Sequence, residues 1–444
     1  MLKFIPAIIL LLTTACAQVE HEAGPNSPYD IRADVELLLA TGEPEIEAQV
    51  IARLNQHNVP HGYLKSLLLK RTQGRKGVAG TQSGLEIKVN DKTYSYALHV
   101  PAPTQPGKPF PLIVILHGAG ANGDAILPQW VRRLEGKFII VCPSYPMGAW
   151  WSANAEDLVL ELIHEIQGAY AADYNRVFLA GLSNGAVGAY MIGMFHPDRF
   201  AGIVPIAGSI TERYMHFLVN LKNTPVYMVQ GEFDSFFPIK YSRRVHTILS
   251  DMKYPVVYRE HTKKGRGHGG HFLPEGEIPA LREWLAKQVR LASPKVIRMT
   301  REANHMGKIN WARLAKGYKL AALQIPGPER EPMTVRDGKI STLFAVSMGN
   351  NEFEVMGQNL LAFELYLNTD LVDFDKPVMV STRMILEKDN KLVPGEKKVS
   401  FHQMVKKDTA LLLLGFKDRR DPELLYDAKV SISLENDTQI AANP

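Results

Sequence analysis

Residues 177–190 give the strongest indication of the fold of this 444-residue chain, and their sequence is Val177-Phe-Leu-Ala-Gly-Leu-Ser183-Asn-Gly-Ala-Val-Gly-Ala-Tyr190. Its first four residues are apolar, as in a buried strand, and the residues from Asn184 onward open a helical pattern. Gly181, Ser183 and Gly185 form the pattern G-x-S-x-G between these two elements. The stretch therefore predicts a strand, a tight turn with Ser183 at its tip, and a helix.

This context gives the G-x-S-x-G pattern its meaning, because chance alone would place it in roughly a tenth of such chains. A strand, turn and helix with serine at the turn form a nucleophile elbow, which presents the hydroxyl group for attack. Gly181 and Gly185 suit an elbow, since only a hydrogen at these positions lets the strand and the helix approach closely. The alternative is a serine in an ordinary tight turn, and we prefer the elbow.

The region around the elbow, residues 85–292, alternates apolar strand-like runs with helical patterns. This alternation predicts βαβ units on a doubly wound, mostly parallel sheet. Helices are expected at 155–167, 186–195 and 278–289, and strands at 94–100, 112–116, 138–141, 177–180, 203–206, 226–229 and 256–260.

Two further regions flank this α/β domain, and 45% hydrophobic residues suffice for a large core in each part of the chain. Residues 17–84 predict a tether and two or three short helices between residues 34 and 71, followed by a glycine-rich linker at 72–84. After Pro294, alternating patterns such as Leu411/Leu413 and Val430/Ile432 predict strands. We therefore expect a separate C-terminal β domain at 295–444, similar to a sandwich.

Residues 1–16 predict an export signal, with Lys3 ahead of a short apolar run and small residues up to Cys16. The run is too short to cross a bilayer as a helix. Small residues before Cys16 resemble a bacterial lipobox, whereas cleavage after Ala17 would leave a freely secreted or periplasmic protein. We prefer an exported cell-envelope lipoprotein with a lipid on Cys16. The other cysteine, Cys142, lies in an apolar run and is expected to be buried.

The net charge of +5 is too small to indicate a nucleic-acid partner. The basic clusters at 263–266 and 397–398 are short and contain no aromatic residues, so we expect solvated surface there. Membrane contact is expected only through the lipid anchor.

Residues 112–275 resemble the α/β-hydrolase family, and in particular secreted bacterial esterases that include feruloyl esterases, acetylxylan esterases and polyhydroxyalkanoate-depolymerase-like enzymes. The resemblance covers a little under half of the chain and implies an α/β-hydrolase fold and an enzyme without a cofactor. Its motifs follow the family's order: the oxyanion loop at 116–120, the elbow at 174–185, the segment at 195–208 and the acid loop at 230–238.

The family order of a serine, then an acid, then a histidine implies a catalytic triad that begins with Ser183. Asp234 follows a predicted strand and matches the family's acid position, and its spacing from the preceding glycine favours it over Glu232. For the base, His268 between glycines is preferred and His271 is the alternative. The two histidines could also bind a metal, but no carboxylate or cysteine lies nearby at a ligand spacing, so no metal is expected.

An oxyanion hole is expected from backbone N–H groups of Asn184 and of either Ala119 or Gly120. His117, ahead of the nucleophile, is expected to order this loop rather than to act as the base. Trp150 and Trp151 would either line the acyl or leaving-group pocket or belong to the core.

The sequence thus predicts a serine esterase that forms an acyl-enzyme and acts on small-molecule or polysaccharide-linked carboxylic esters. The C-terminal β domain would be free to contact a polymer or a partner. A serine peptidase similar to prolyl oligopeptidase is one alternative, although the region ahead of the α/β domain is too short for a propeller. A non-catalytic surface lipoprotein on a hydrolase scaffold is another, which would not need the serine, the acid and the histidine together.

Overall fold

The computed structural model describes residues 29–72, 77–102, 108–262, 270–322, 338–388 and 391–434. Its central sheet has eight strands in the order β1-β2-β4-β3-β5-β6-β7-β8. From β4 onward along this order all neighbours are parallel, while β2 pairs antiparallel with both β1 and β4. The strands are β1 (Gly80–Val89), β2 (Lys92–Val100), β3 (Phe110–Leu116), β4 (Ile139–Pro143), β5 (Ala172–Leu182), β6 (Gly202–Ile206), β7 (Val226–Gly231) and β8 (Val256–His261).

Helices cover both faces of this sheet, as the doubly wound prediction requires. Alternate residues of β3 point to opposite faces, so that Val114 and Ile115 belong to two different buried clusters. One face is covered by α5 (Ala153–Ala169), α6 (Asn184–Phe195) and α7 (Ile239–Asp251), and the other by α4 (Gly123–Arg133) and α8 (Ile278–Lys287). This arrangement and the strand order confirm the expected α/β-hydrolase fold.

Strand β1 corrects one expectation, because it begins at Gly80, inside the predicted linker at 72–84. Its side chains are mostly exposed, and Thr81 and Gln82 give no apolar signal in the sequence. The strand forms at the edge of the sheet, where pairing with β2 needs backbone groups rather than buried side chains. Asn90 and Asp91, both with positive φ, close this hairpin, as two-residue hairpin turns require.

Three helices precede the sheet: α1 (Ile31–Ala40), α2 (Pro44–Gln56) and α3 (His61–Thr72). They pack against a helix from near the other end of the described chain, α9 (Thr409–Arg419). The prediction of a strand at Leu411/Leu413 is therefore wrong. These residues belong to a run of four leucines, which is compatible with the periodicity of a helix as well as with that of a strand. Asp408 caps this helix by accepting the Leu411 N–H at 3.1 Å.

The region after the α/β domain contains two further sheets that share one buried cluster, which includes Trp311, Phe353 and Phe363. One sheet has the order β10-β13-β17, and the other the order β15-β14-β12-β11-β9 with β16 also paired to β14. This confirms the expected sandwich-like β region. Its strands are β9 (Val296–Arg301), β10 (Ala312–Gly317), β11 (Ser341–Gly349), β12 (Glu352–Gln358), β13 (Leu360–Leu367), β14 (Val378–Lys388), β15 (Lys391–Pro394), β16 (Lys398–Gln403) and β17 (Ala428–Ser433).

The β region packs on the end of α6, the helix that begins next to Ser183. Buried Asp198, just after α6, pairs with Arg419 at 2.7 Å and accepts the Asn310 N–H at 2.6 Å. His305 stacks on Phe195 with ring centroids 3.6 Å apart. The two regions are thus joined by buried charged and aromatic contacts. Whether the β region also contacts a polymer or a partner stays a prediction.

Candidate active site

The turn at Ser183 has the strained geometry of a nucleophile elbow. Ser183 has φ 61° and ψ −122°, a conformation that non-glycine residues rarely adopt. The structure holds the turn from both sides, because the Ser183 N–H donates to Ile206 O at 2.9 Å and its carbonyl accepts from the Ala186 N–H at 2.9 Å. The strand before and the helix after the turn are the predicted ones.

The two elbow glycines lie where no side chain fits. A Cβ atom on Gly181 would be 2.0 Å from Gly185 O, and one on Gly185 would be 2.1 Å from Leu116 O. A third glycine, Gly208, ends the family segment at 195–208, but its contact with the elbow was not predicted: its Cβ would lie 2.6 Å from Ser183 O. Gly208 follows β6, which is distant from Ser183 in the sequence, so no local pattern indicated that it contacts the elbow. The close packing predicted for the elbow therefore depends on glycine from two segments.

Asp234 lies beyond the carboxyl end of β7, at the same sheet edge as Ser183 after β5. Its side chain is fully buried, and Oδ1 accepts the N–H groups of Phe236 and Phe237, both at 2.9 Å. Burial raises the pKa of Asp234, but hydrogen bonds from His271 and these two backbone groups outweigh it and hold the pKa below its usual value. The carboxyl group is therefore ionised at neutral pH.

His271 binds the other carboxylate oxygen, with 2.9 Å between its Nδ1 and Asp234 Oδ2. An ionised carboxylate only accepts, so Nδ1 carries the proton and Nε2 of a neutral ring is left as an acceptor. His268, preferred from the sequence, lies outside the described residues. Among the described histidines it is the alternative base, His271, that contacts the acid. Glu232, the rival acid, is half-buried and lies 3.8 Å from Arg243.

The loop after β3 lies against the nucleophile. A Cβ atom on Gly118 would be 3.0 Å from Ser183 Cβ, so a larger residue would force this contact to shift. The next two residues, Ala119 and Gly120, are exposed, and Gly120 has φ 76°. Asn184 follows the nucleophile at the start of α6. The residues expected to form an oxyanion hole therefore lie on both sides of Ser183.

His117 orders this loop, in keeping with its expected role. The ring accepts the Tyr145 N–H at Nε2 (3.1 Å), which leaves Nδ1 to donate to Gly118 O (2.8 Å). Burial lowers the pKa of His117, which favours the neutral ring that this arrangement requires. The carbonyl of His117 accepts the indole N–H of Trp150 at 2.7 Å.

Trp150 belongs to the core, which is one of the two alternatives left open by the sequence, and it does not line a substrate pocket. The side chain is fully buried and packs so closely on α6 that a Cβ on Gly188 would be 2.2 Å from Trp150 Cβ. Trp151 is half-buried. Met147, which was not singled out from the sequence, is 66% exposed, and its carbonyl accepts from Asn184 Nδ2 at 3.1 Å. Of these three side chains, Met147 is therefore the one most open to solvent beside the elbow.

Gln230 is a second residue that the sequence did not single out, although it belongs to the quoted acid loop. Its side chain is buried and donates to Asp234 Oδ2 at 2.8 Å. The spacing of four residues from Asp234 is visible in the sequence, but the contact depends on how the loop folds back after β7.

Across the described part of the chain, no group of three or more His, Cys, Asp or Glu side chains is arranged to hold a metal ion. Within the same residues, no helix has the length and apolar character needed to cross a membrane.

In comparison with known proteins, the chain is similar in sequence to proteins that are named as esterases. The chain is 29% identical over 153 residues to a protein named as the esterase NocK of Nocardia uniformis subsp. tsuyamanensis. It is 27% identical over 133 residues to one named feruloyl esterase C of Aspergillus flavus. These matches cover 31% and 28% of this chain and 44% and 48% of the relatives, so the chain spans about half the length of these curated relatives.

A third relative, named acyl-protein thioesterase 1, of Eremothecium gossypii, is 25% identical over 203 residues, which are 38% of this chain and 85% of the relative. No protein-family model matches the chain. Among solved structures, one described as a thermostable esterase is 26% identical, with a TM-score of 0.39 and coverage of 47% of this chain and 63% of the other. The order of the strands and the similarity to proteins named as esterases and as a thioesterase together support an α/β-hydrolase fold for this chain.

Proposed function

We propose that this protein is a serine hydrolase that cleaves carboxylic esters through an acyl-enzyme intermediate. The observation that carries the proposal is the 2.9 Å contact between His271 Nδ1 and the buried, ionised Asp234. This pair lies at the sheet edge where the strained turn presents Ser183. A histidine oriented by a carboxylate, at the same sheet edge as a serine on a strained turn, is the arrangement that activates a hydroxyl nucleophile.

In this proposal His271 takes the proton from Ser183 Oγ as the oxygen attacks the ester carbonyl. Asp234 holds the Nδ1–H tautomer and stabilises the imidazolium that forms. The tetrahedral intermediate collapses as His271 protonates the departing alcohol, which leaves an acyl group on Ser183. A water molecule, activated by the same histidine, then releases the acid and restores the serine.

The proposed oxyanion hole consists of the Asn184 N–H and a second N–H from the loop after β3. We favour Ala119 over Gly120 for the second donor, because Ala119 follows directly on Gly118, which contacts Ser183. Each such donor typically contributes about 2.7–4 kcal/mol to transition-state stabilisation.

The choice of His271 as the base replaces the preference for His268 that followed from the flanking glycines. The contact with Asp234 supports His271, whereas His268 stays the alternative. His271→Ala should abolish ester cleavage while His268→Ala keeps it, and the opposite pattern would return the role to His268.

The names of the relatives support esters and thioesters as the bond type, and the substrate class proposed is a small-molecule or polysaccharide-linked ester. A fluorophosphonate probe and p-nitrophenyl acetate test the activity directly. We expect the probe to label Ser183, and Ser183→Ala to lose both labelling and ester cleavage. Ser341→Ala, which alters a buried serine of β11 in the β region, serves as the control. Unlabelled folded protein, or ester cleavage that persists in Ser183→Ala, would contradict the proposal.

We also propose that the protein is exported and carries a lipid on Cys16. The support is the sequence of residues 1–17 alone, because these residues lie outside the described ones. Labelled palmitate should be incorporated into the wild-type protein in a bacterial host and not into Cys16→Ser.

A further inference from the structure

A buried amide lies behind the proposed acid and has no part in the mechanism above. Gln230, near the end of β7, is 1% exposed. Its Nε2 donates to Asp234 Oδ2 at 2.8 Å, and His271 Nδ1 lies 2.9 Å from the same oxygen. Oδ1 is already engaged by the two backbone N–H groups of the acid loop. Gln230 and His271 therefore compete for the charge of one carboxylate oxygen.

The chemistry of the neighbours fixes the orientation of this amide. An ionised carboxylate offers no proton, so the atom of Gln230 that faces Asp234 must be the nitrogen. The amide oxygen then faces Ser242 Oγ, 3.2 Å away on α7, and the serine hydroxyl must donate. Ser242 is also buried, at 1% exposed. The result is a directed chain of hydrogen bonds from Ser242 through Gln230 to the oxygen that holds His271.

We propose that Gln230 is a positioning residue that sets the basicity of Asp234 and, through it, how strongly this carboxylate attracts the protonated form of the His271 imidazole. This inference rests on the proposed function, because it assigns Gln230 a part in preparing the base. A hydrogen bond donated to the charged form of a carboxyl group lowers its basicity. Asp234 therefore attracts the imidazolium form of His271 less than it would without Gln230. The hydrogen bond from Gln230 thereby favours the neutral ring of His271, which is the form that accepts the proton of Ser183.

Two substitutions distinguish the effect of losing the Gln230 hydrogen-bond donor from the effect of changing the size of its side chain. Gln230→Met keeps the approximate length of the side chain and removes the donor, and we expect the acid limb of kcat/KM to move up by about 0.5–1 pH unit. Gln230→Asn keeps the amide but is one methylene shorter, so it should move the limb in the same direction. Ser242→Ala leaves the Gln230 donor in place and should have a smaller effect. Gln167→Met alters a buried glutamine of α5 that has no part in this chain of hydrogen bonds, and it should leave the limb unmoved.

A second measurement does not depend on ester cleavage. In Ser183→Ala protein, proton NMR follows the His271 ring through its titration and the proton between Nδ1 and Asp234. With Gln230→Met added, the titration midpoint should rise, and the signal of the shared proton should move. A role in packing alone would lower the melting temperature and leave both unchanged, and this outcome would overturn the inference. If the probe failed to label Ser183, the proposed function would be wrong, and Gln230 would have no role in catalysis. The titration would still report whether Gln230 sets the basicity of Asp234 in its contact with His271.

Discussion

Gly185→Ala tests the close packing at the elbow, where the structure leaves no room for a Cβ atom on this residue. The glycine lies in the first turn of α6, directly beneath the loop that leaves β3. Its substitution adds one methyl group and alters no charge and no hydrogen-bonding group. The effect therefore depends only on the available space.

The distances give the size of this effect. The added Cβ would lie 2.1 Å from Leu116 O and 3.0 Å from His117 O, both backbone atoms, whereas ordinary contact starts near 3.4 Å. Either α6 or the loop must move by about 1 Å, and these two segments carry the two proposed oxyanion donors. A misplacement of about 1 Å can cost roughly 100-fold in rate. Overpacking of this kind costs typically about 1–3 kcal/mol of stability.

The measurement is kcat/KM for p-nitrophenyl acetate together with the rate of labelling by a fluorophosphonate probe. Urea unfolding of the same samples gives the change in free energy of unfolding. The matched control is Gly415→Ala in α9, where an added Cβ meets no atom within 4 Å. That variant should keep full activity and gain about 0.5–1 kcal/mol, since alanine favours a helix over glycine.

A Gly185→Ala protein with wild-type stability and activity would refute the packing argument. A protein that unfolds before it can be assayed would confirm the steric part and leave the rate to the labelling experiment at low temperature. If Gly415→Ala lost activity to the same degree, the loss could not be ascribed to the elbow.

Two further predictions concern the contacts that join the regions of the chain. Burial lowers the pKa of His305, but its hydrogen bonds to Glu156 and Glu302 outweigh this and raise the pKa to about 9. The unfolded value is about 6.5, so the stability contributed by His305 is complete below that pH and is lost as the pH rises through 9. The difference in melting temperature between wild-type and His305→Gln protein should be largest near pH 6 and should disappear by about pH 10. A difference that does not change with pH would contradict the ion pairs of His305. Phe416→Ala should cost about 3–5 kcal/mol in urea unfolding, because this buried side chain of α9 packs on the N-terminal helices, and a cost near zero would contradict that packing.

The elbow and the central sheet could be predicted from the sequence because their signals are local. A buried strand, a turn with two glycines and a small-faced helix follow each other without a gap around Ser183. Alternation of strands and helices leads to a parallel sheet wherever it occurs, and the carboxyl ends of such strands share one edge. The placement of Asp234 at the same sheet edge as Ser183 follows from these rules alone.

The choice between His268 and His271 could not be made in this way. The two histidines are three residues apart in one glycine-rich segment, and both follow the last strand of the central sheet. Only the distance to Asp234, across a separation of 37 residues, favours His271. A glycine-rich segment has no periodicity that would indicate the direction of either side chain.

Burial and long-range packing account for the remaining differences. Trp150 is next to Trp151 in sequence, but close contact with α6 makes it core while its neighbour is half-buried. The leucines of α9 fit either period, and the N-terminal helices that cover them lie more than 300 residues away. From the sequence, local steric rules were thus sufficient to predict the type of sheet and to propose Ser183 as the nucleophile and Asp234 as the acid. The contact of His271 with Asp234, the burial of Trp150 and the contact of the Gln230 amide with Asp234 could be seen only in the tertiary structure, because each depends on atoms from segments whose arrangement is not encoded locally.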